Sequence, residues 1–115
     1  MKQSDAALRL RASPRVDLVR LQKQAAHAAT LLKVMANPNR LVILCQLAEG
    51  EKSVGELENV VGLSQSALSQ HLCVLRDQGV VTTRREAQSI YYSLASKEAQ
   101  VVMVALHDVF CAKPR

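Results

Sequence analysis

Ser53-Val54-Gly55-Glu56-Leu57 and, past four further residues, Gly62-Leu63-Ser64-Gln65-Ser66-Ala67-Leu68-Ser69-Gln70-His71-Leu72 decide the fold. Ser53 and Glu56 stand at capping-box spacing, which starts a short helix over about Val54–Val61. Gly62-Leu63-Ser64 reads as a tight turn, with Ser64 capping a second helix that runs to about Gln78 and stops at Gly79. Leu68, Leu72 and Leu75, at steps of four and three, give that helix one face to bury. A short helix, a glycine turn and an amphipathic helix make a helix-turn-helix. The opposite face carries Gln65, Ser66, Ser69 and Gln70. Glutamine bonds adenine through two atoms at once, and serine donates or accepts at several base edges. A merely solvated face more often carries Lys and Glu, and that plain polar face is the competing reading.

Downstream the period changes from helical to alternating. Val80-Val81-Thr82-Thr83 and Ser89-Ile90-Tyr91-Tyr92-Ser93-Leu94 are rich in β-branched and aromatic residues. Arg84-Arg85-Glu86-Ala87-Gln88 between them is expected to form the basic tip of a hairpin, a wing with Arg84 and Arg85 at its end. Ser96 caps a last helix, about Lys97 to Cys111, with Val101, Val102, Ala105, Leu106 and Val109 inward. Upstream, Asn37-Pro38 breaks the chain, because proline suits a helix start and not a helix interior. Pro38 to about Ala48 is then a helix with Leu41, Leu44, Cys45 and Ala48 on one face, ended by Gly50. Before it, Leu18, Leu21, Ala25, Ala28, Leu32 and Met35 recur at steps of 3, 4, 3, 4 and 3 along a long helix. So narrow a seam fits a contact between subunits or packing on the chain's own core, and the pattern leaves both open. Residues 1–16 hold four basic residues and one acidic, and are expected to be a disordered basic arm. The expectation is therefore a mainly α winged helix-turn-helix over residues 17–113 with a small β-hairpin wing.

Composition agrees with one modest domain. The chain has 115 residues, 49% hydrophobic and 22% charged, with no Trp, one Phe and two Tyr. So few aromatics leave an aliphatic core, which suits helices packed on helices. A net charge of +5 and a pI near 9.5 point, weakly on their own, to a polyanionic partner. The longest apolar runs, Leu41–Cys45 and Val101–Leu106, fall far short of the roughly 20 residues that cross a bilayer. The first residues have basic side chains but no apolar core of a secretory signal, so the expected compartment is the cytoplasm, with no membrane partner. No Ser–His–acid arrangement, phosphate-binding glycine loop or metal-ligand cluster is legible, so neither catalysis nor a cofactor is expected. A lone His71 beside the reading face suits packing or a DNA contact.

These motifs together resemble the ArsR family of winged-helix repressors over about residues 20–111. The matching stretches are Leu31 to Leu41, Ser53 to Leu57, Leu63 to Leu72, Val74-Leu75-Arg76 leading to Gly79-Val80-Val81, and the Tyr91-Tyr92 strand. The resemblance implies a homodimer joined through the first and last helices, here Leu18, Leu21, Ala25, Ala28 and Leu32 with Val102 and Leu106. It also implies double-stranded DNA as partner, a near-palindromic operator contacted by Ser64, Gln65, Ser66, Ser69, Gln70 and His71, with Arg84 and Arg85 on phosphate or in the minor groove. Many members sense metals. The arsenic-type Cys-x-Cys pair is absent, since only Cys45 stands in Leu44-Cys45-Gln46-Leu47. Adjacent residues on a helix point about 100° apart, so His107-Asp108 is a poor chelate and no metal site is expected.

Cys45 on the second helix and Cys111 at the end of the last match, residue by residue, the cysteine pair of the redox and reactive-sulfur-sensing branch of that family. The likeness implies that an oxidant or reactive sulfur species joins them, as a disulfide or through a polysulfide bridge, and weakens DNA binding. Two alternatives stay open: inert cysteines serving as small core residues in a constitutive DNA-binding module, and a metal(loid)-responsive repressor. Cys73, on the reading helix, departs from the family pattern and stands outside the pair.

Overall fold

The computed structural model describes residues 17–111. The expected basic arm, residues 1–16, and the last residues of the chain lie outside them. The chain forms two compact units that divide between Thr30 and Leu31. Five helices and three strands follow in order: α1 (Leu18–Met35), α2 (Pro38–Ala48), β1 (Lys52–Ser53), α3 (Val54–Val61), α4 (Gln65–Asp77), β2 (Val81–Glu86), β3 (Ser89–Leu94) and α5 (Lys97–Phe110).

Local chemistry sets these boundaries. Asn37 is extended and its side chain accepts from the backbone N–H of Asn39 and Arg40, so α2 starts at Pro38. At α3 the Ser53 hydroxyl accepts from Glu56 N–H while the Glu56 carboxylate accepts from Ser53 N–H, a complete capping box. Gly62 ends α3 at φ 75°, a left-handed backbone that glycine adopts without steric cost. Ser64 caps α4 and Ser96 caps α5, each accepting from the N–H three residues on.

The core lies wholly in the second unit. Ile43, Leu44 and Leu47 of α2, Leu57 of α3, Leu68, Leu72 and Leu75 of α4, Val80 and Val81, and Ala99 and Met103 of α5 are buried, with Val34 and Met35 at the end of α1. No polar side chain among the described residues is buried. Arg40 fastens the end of α1 to α2, its Nε donating to the Val34 carbonyl at 2.6 Å. In the first unit Leu18 and Leu21 are exposed and Ala28 is half-buried. Beyond the boundary Leu32 is exposed as well.

Three expectations need correction. The buried face of α2 runs through Ile43, Leu44 and Leu47, while Leu41, Cys45 and Ala48 sit half-buried at its margin. On α5 the buried residues are Ala99 and Met103. Val101 and Val109 point outward at 67% and 73% exposure, Ala105 is exposed too, and Val102 and Leu106 pack partly against the core. The helix is rotated relative to the expected apolar stripe because a valine-rich helix offers several stripes, and packing selects one. The wing is longer than expected: Arg84, Arg85 and Glu86 belong to β2, paired with Tyr91, Ile90 and Ser89. The turn is only Ala87-Gln88, so the arginines stand in the strand and not at the tip. A short third strand, β1, pairs Lys52 with Tyr92 and Ser53 with Tyr91, giving the sheet order β1-β3-β2.

Candidate nucleic-acid interface and thiol groove

Burying Leu68, Leu72 and Leu75 turns the other face of α4 to solvent. Ser64, Gln65, Ser66, Ser69 and Gln70 are all exposed on it. A polar hollow of about 510 Å³ opens between this face and the wing, with Gln65 and Ser69 on one side and Gln88, Ser89 and Ile90 on the other. Gln88 was not legible as a site residue, because only the pairing of β2 with β3 carries it to the rim. His71 differs from its neighbours. It is half-buried, and its Nδ1 lies 3.4 Å from Arg40 Nη1, so the ring is turned toward α2 and away from the open face.

Arg84 is also held in place. Its Nε and Nη2 donate to Glu51 at 3.1 and 2.8 Å, its Nη1 donates to Glu86, and its guanidinium stacks 4.7 Å from the centre of the Tyr91 ring. These contacts hold Glu51 below the usual carboxylate range, chiefly through the Arg84 hydrogen bond, and push Arg84 still higher. Glu51 stands 33 residues before Arg84, so no local pattern announces the pair. Arg85 is exposed on the other face of β2.

Elsewhere in the second unit α2 and α5 form a groove of about 330 Å³. Cys45 and Cys111 both line it, among Leu41, Val42, Met103 and Phe110. Cys45 is half-buried, and Cys111 is the exposed C-cap of α5, its N–H bonded to the His107 carbonyl at 2.8 Å. Both residues of the expected pair thus line one groove. Cys45 also borders a smaller hollow with Glu49, His107 and Asp108. Cys73 lies apart, exposed on α4, its Sγ 3.8 Å from Asp77 Oδ2. Among the described residues no three His, Cys, Asp or Glu side chains are grouped to hold a metal ion, and no helix is long and apolar enough to cross a membrane.

Residues 37–83 match the profile of the bacterial regulatory protein, arsR family. The chain is 50% identical over 96 residues to the transcriptional activator HlyU of Vibrio cholerae, covering 84% of this chain and 89% of that protein. It is 48% identical over 97 residues to the biofilm growth-associated repressor of Agrobacterium fabrum, covering 84% and 83%. Reduced HlyU from Vibrio cholerae superposes with a TM-score of 0.77 at 51% identity, over 82% of this chain and 99% of that one. The transcriptional repressor BigR from Xylella fastidiosa gives a TM-score of 0.80 at 44% identity, over 85% and 100%. These relatives are regulators and not enzymes. On its helix-turn-helix, its wing and this extent of likeness, the chain belongs to the ArsR family of transcriptional regulators.

Proposed function

We propose that the protein is a cytoplasmic, homodimeric repressor whose hold on a near-palindromic operator is released when Cys45 and Cys111 are linked. The observation that carries this reading is the groove whose wall holds both thiols. Cysteines that pair in a reducing compartment are as a rule regulatory. A low-molecular-weight persulfide R–S–SH supplies both equivalents. Transfer of its outer sulfur gives Cys45–S–SH and R–SH, and attack by Cys111 on the inner sulfur gives the disulfide and hydrogen sulfide.

Gln65, Ser66, Ser69 and Gln70 read base edges from the major groove, with Ser64 on the adjoining backbone. Two such helices on a dimer meet half-sites about one turn, roughly 34–36 Å, apart. Arg85 supplies the wing's contact to phosphate, since the charge of Arg84 is balanced by Glu51 and Glu86. A second copy covers the exposed leucines of α1, and separately the outward valines Val101, Val104 and Val109 of α5. The bridge ties α5 to α2, and a coupling of about 1–3 kcal/mol to the dimer geometry is enough for a useful switch.

The test is operator affinity of the reduced protein before and after treatment with a persulfide, with intact mass read on the same samples. Loss of affinity together with formation of the Cys45–Cys111 link is expected.

A further inference from the structure

We propose that His107 is the proton-transfer residue of the dithiol step, taking the proton from Cys45 and then from Cys111 as each sulfur attacks. The inference rests on the dithiol reading above. Three placements support it. His107 lines the groove that holds both cysteines. It also lines the neighbouring hollow that Cys45 borders, so imidazole and thiol share two walls. And it precedes Cys111 by one helical turn, the turn being closed by the bond from Cys111 N–H to the His107 carbonyl. Side chains four apart on a helix are neighbours, about 5–6 Å between Cβ atoms.

The chemistry needs a group of this kind. Thiolate, not thiol, attacks sulfur, and an ordinary cysteine is only a few per cent thiolate near neutral pH. Histidine is the side chain that exchanges a proton most readily there. The other titratable groups lining these two hollows are Cys45 of α2 and Glu49, its C-cap, with Asp108 of α5 and Cys111, its C-cap. Neither carboxylate borders the apolar groove that both thiols line.

The step balances as follows. Cys45 Sγ attacks the outer sulfur of R–S–SH while its proton passes to an imidazole nitrogen. The sulfur–sulfur bond of the persulfide breaks, RS⁻ leaves, and the imidazolium returns the proton to give R–SH. Cys111 Sγ then attacks the inner sulfur of Cys45–S–SH, its proton again passing to His107. Hydrosulfide leaves and is protonated to hydrogen sulfide, so the imidazole is regenerated and the persulfide is the oxidant.

The test follows the rate of Cys45–Cys111 linkage in the full chain, by acid quench and intact mass, with cysteine persulfide as probe. Wild type and His107→Gln are compared from about pH 5.5 to about pH 9.5. His107→Gln should link about ten-fold more slowly than wild type near pH 7, and the two rates should converge in alkaline buffer, where thiolate forms without a base. Reduced His107→Gln should bind operator as wild type does. Identical profiles would overturn the proposal, and so would a variant slower by one constant factor at every pH, which marks a structural role. Should wild type form no link at any pH, the dithiol reading itself falls and the role of His107 with it.

Discussion

Glu51 Oε1 lies 2.8 Å from Arg84 Nη2, tying the loop before β1 to the long strand of the wing. The carboxylate titrates below its ordinary value because Arg84 donates to it. A depressed carboxyl contributes stability above its unfolded pKa and loses that contribution as pH falls through the folded one. Glu51→Gln should therefore melt below wild type at neutral pH, and the gap should close as the buffer is taken below the ordinary value of 4.5. Paired thermal melts check this, and a gap that persists in acid would contradict it. The pair is exposed, so the neutral-pH gap should be small.

Gln70 should read bases. Gln70→Ala is expected to cost about 1–3 kcal/mol on the operator and far less on random DNA. Fluorescence anisotropy on both DNAs measures the difference, and equal losses would remove Gln70 from base recognition.

The two wing arginines should separate. Arg85→Ala should weaken binding to all sequences and reduce the salt slope by about one unit. Arg84→Ala should change the slope less, because two carboxylates already balance that charge. A larger slope change for Arg84 would reverse the assignment.

The exposed stripe of α1 should be a subunit contact. Leu21 and Leu32 stand at 51% and 53% exposure. A charge placed there is harmless on a solvated face but costly once a second copy covers it. Leu21→Glu should therefore shift sedimentation toward monomer while the monomer's far-ultraviolet dichroism stays helical. A dimer of unchanged affinity would exclude this face.

Much of this architecture was legible because caps are local. Asn37-Pro38, the Ser53–Glu56 box, Gly62 and Ser64 each act within four residues, and the helices begin and end where they direct. The solvent face of α4 followed from Leu68, Leu72 and Leu75, whose spacing offers a single stripe. What escaped depends on distant partners. Lys52-Ser53 is too short and polar to show as a strand, and becomes one only by pairing with Tyr91 and Tyr92. Arg84-Arg85-Glu86 has weak strand preference, and cross-strand pairing with β3 overrides it. On α5 several valine stripes compete, and contact with α2 chooses the one through Ala99 and Met103. That Cys45 and Cys111, 66 positions apart, line one groove could be anticipated only from the family likeness.

A disulfide requires Cα atoms within about 7 Å, and a polysulfide spans more. Closing so long a loop is worth about 4 kcal/mol in the chain-entropy model, less any native strain, so the linked form should also resist denaturant. The most direct measurement is operator affinity before and after persulfide treatment for wild type, Cys45→Ser, Cys111→Ser and Cys73→Ser, with intact mass in parallel. Wild type and Cys73→Ser should form the link and release DNA, while Cys45→Ser and Cys111→Ser should stay bound throughout. Release by Cys45→Ser, or a link that includes Cys73, would contradict the assigned pair.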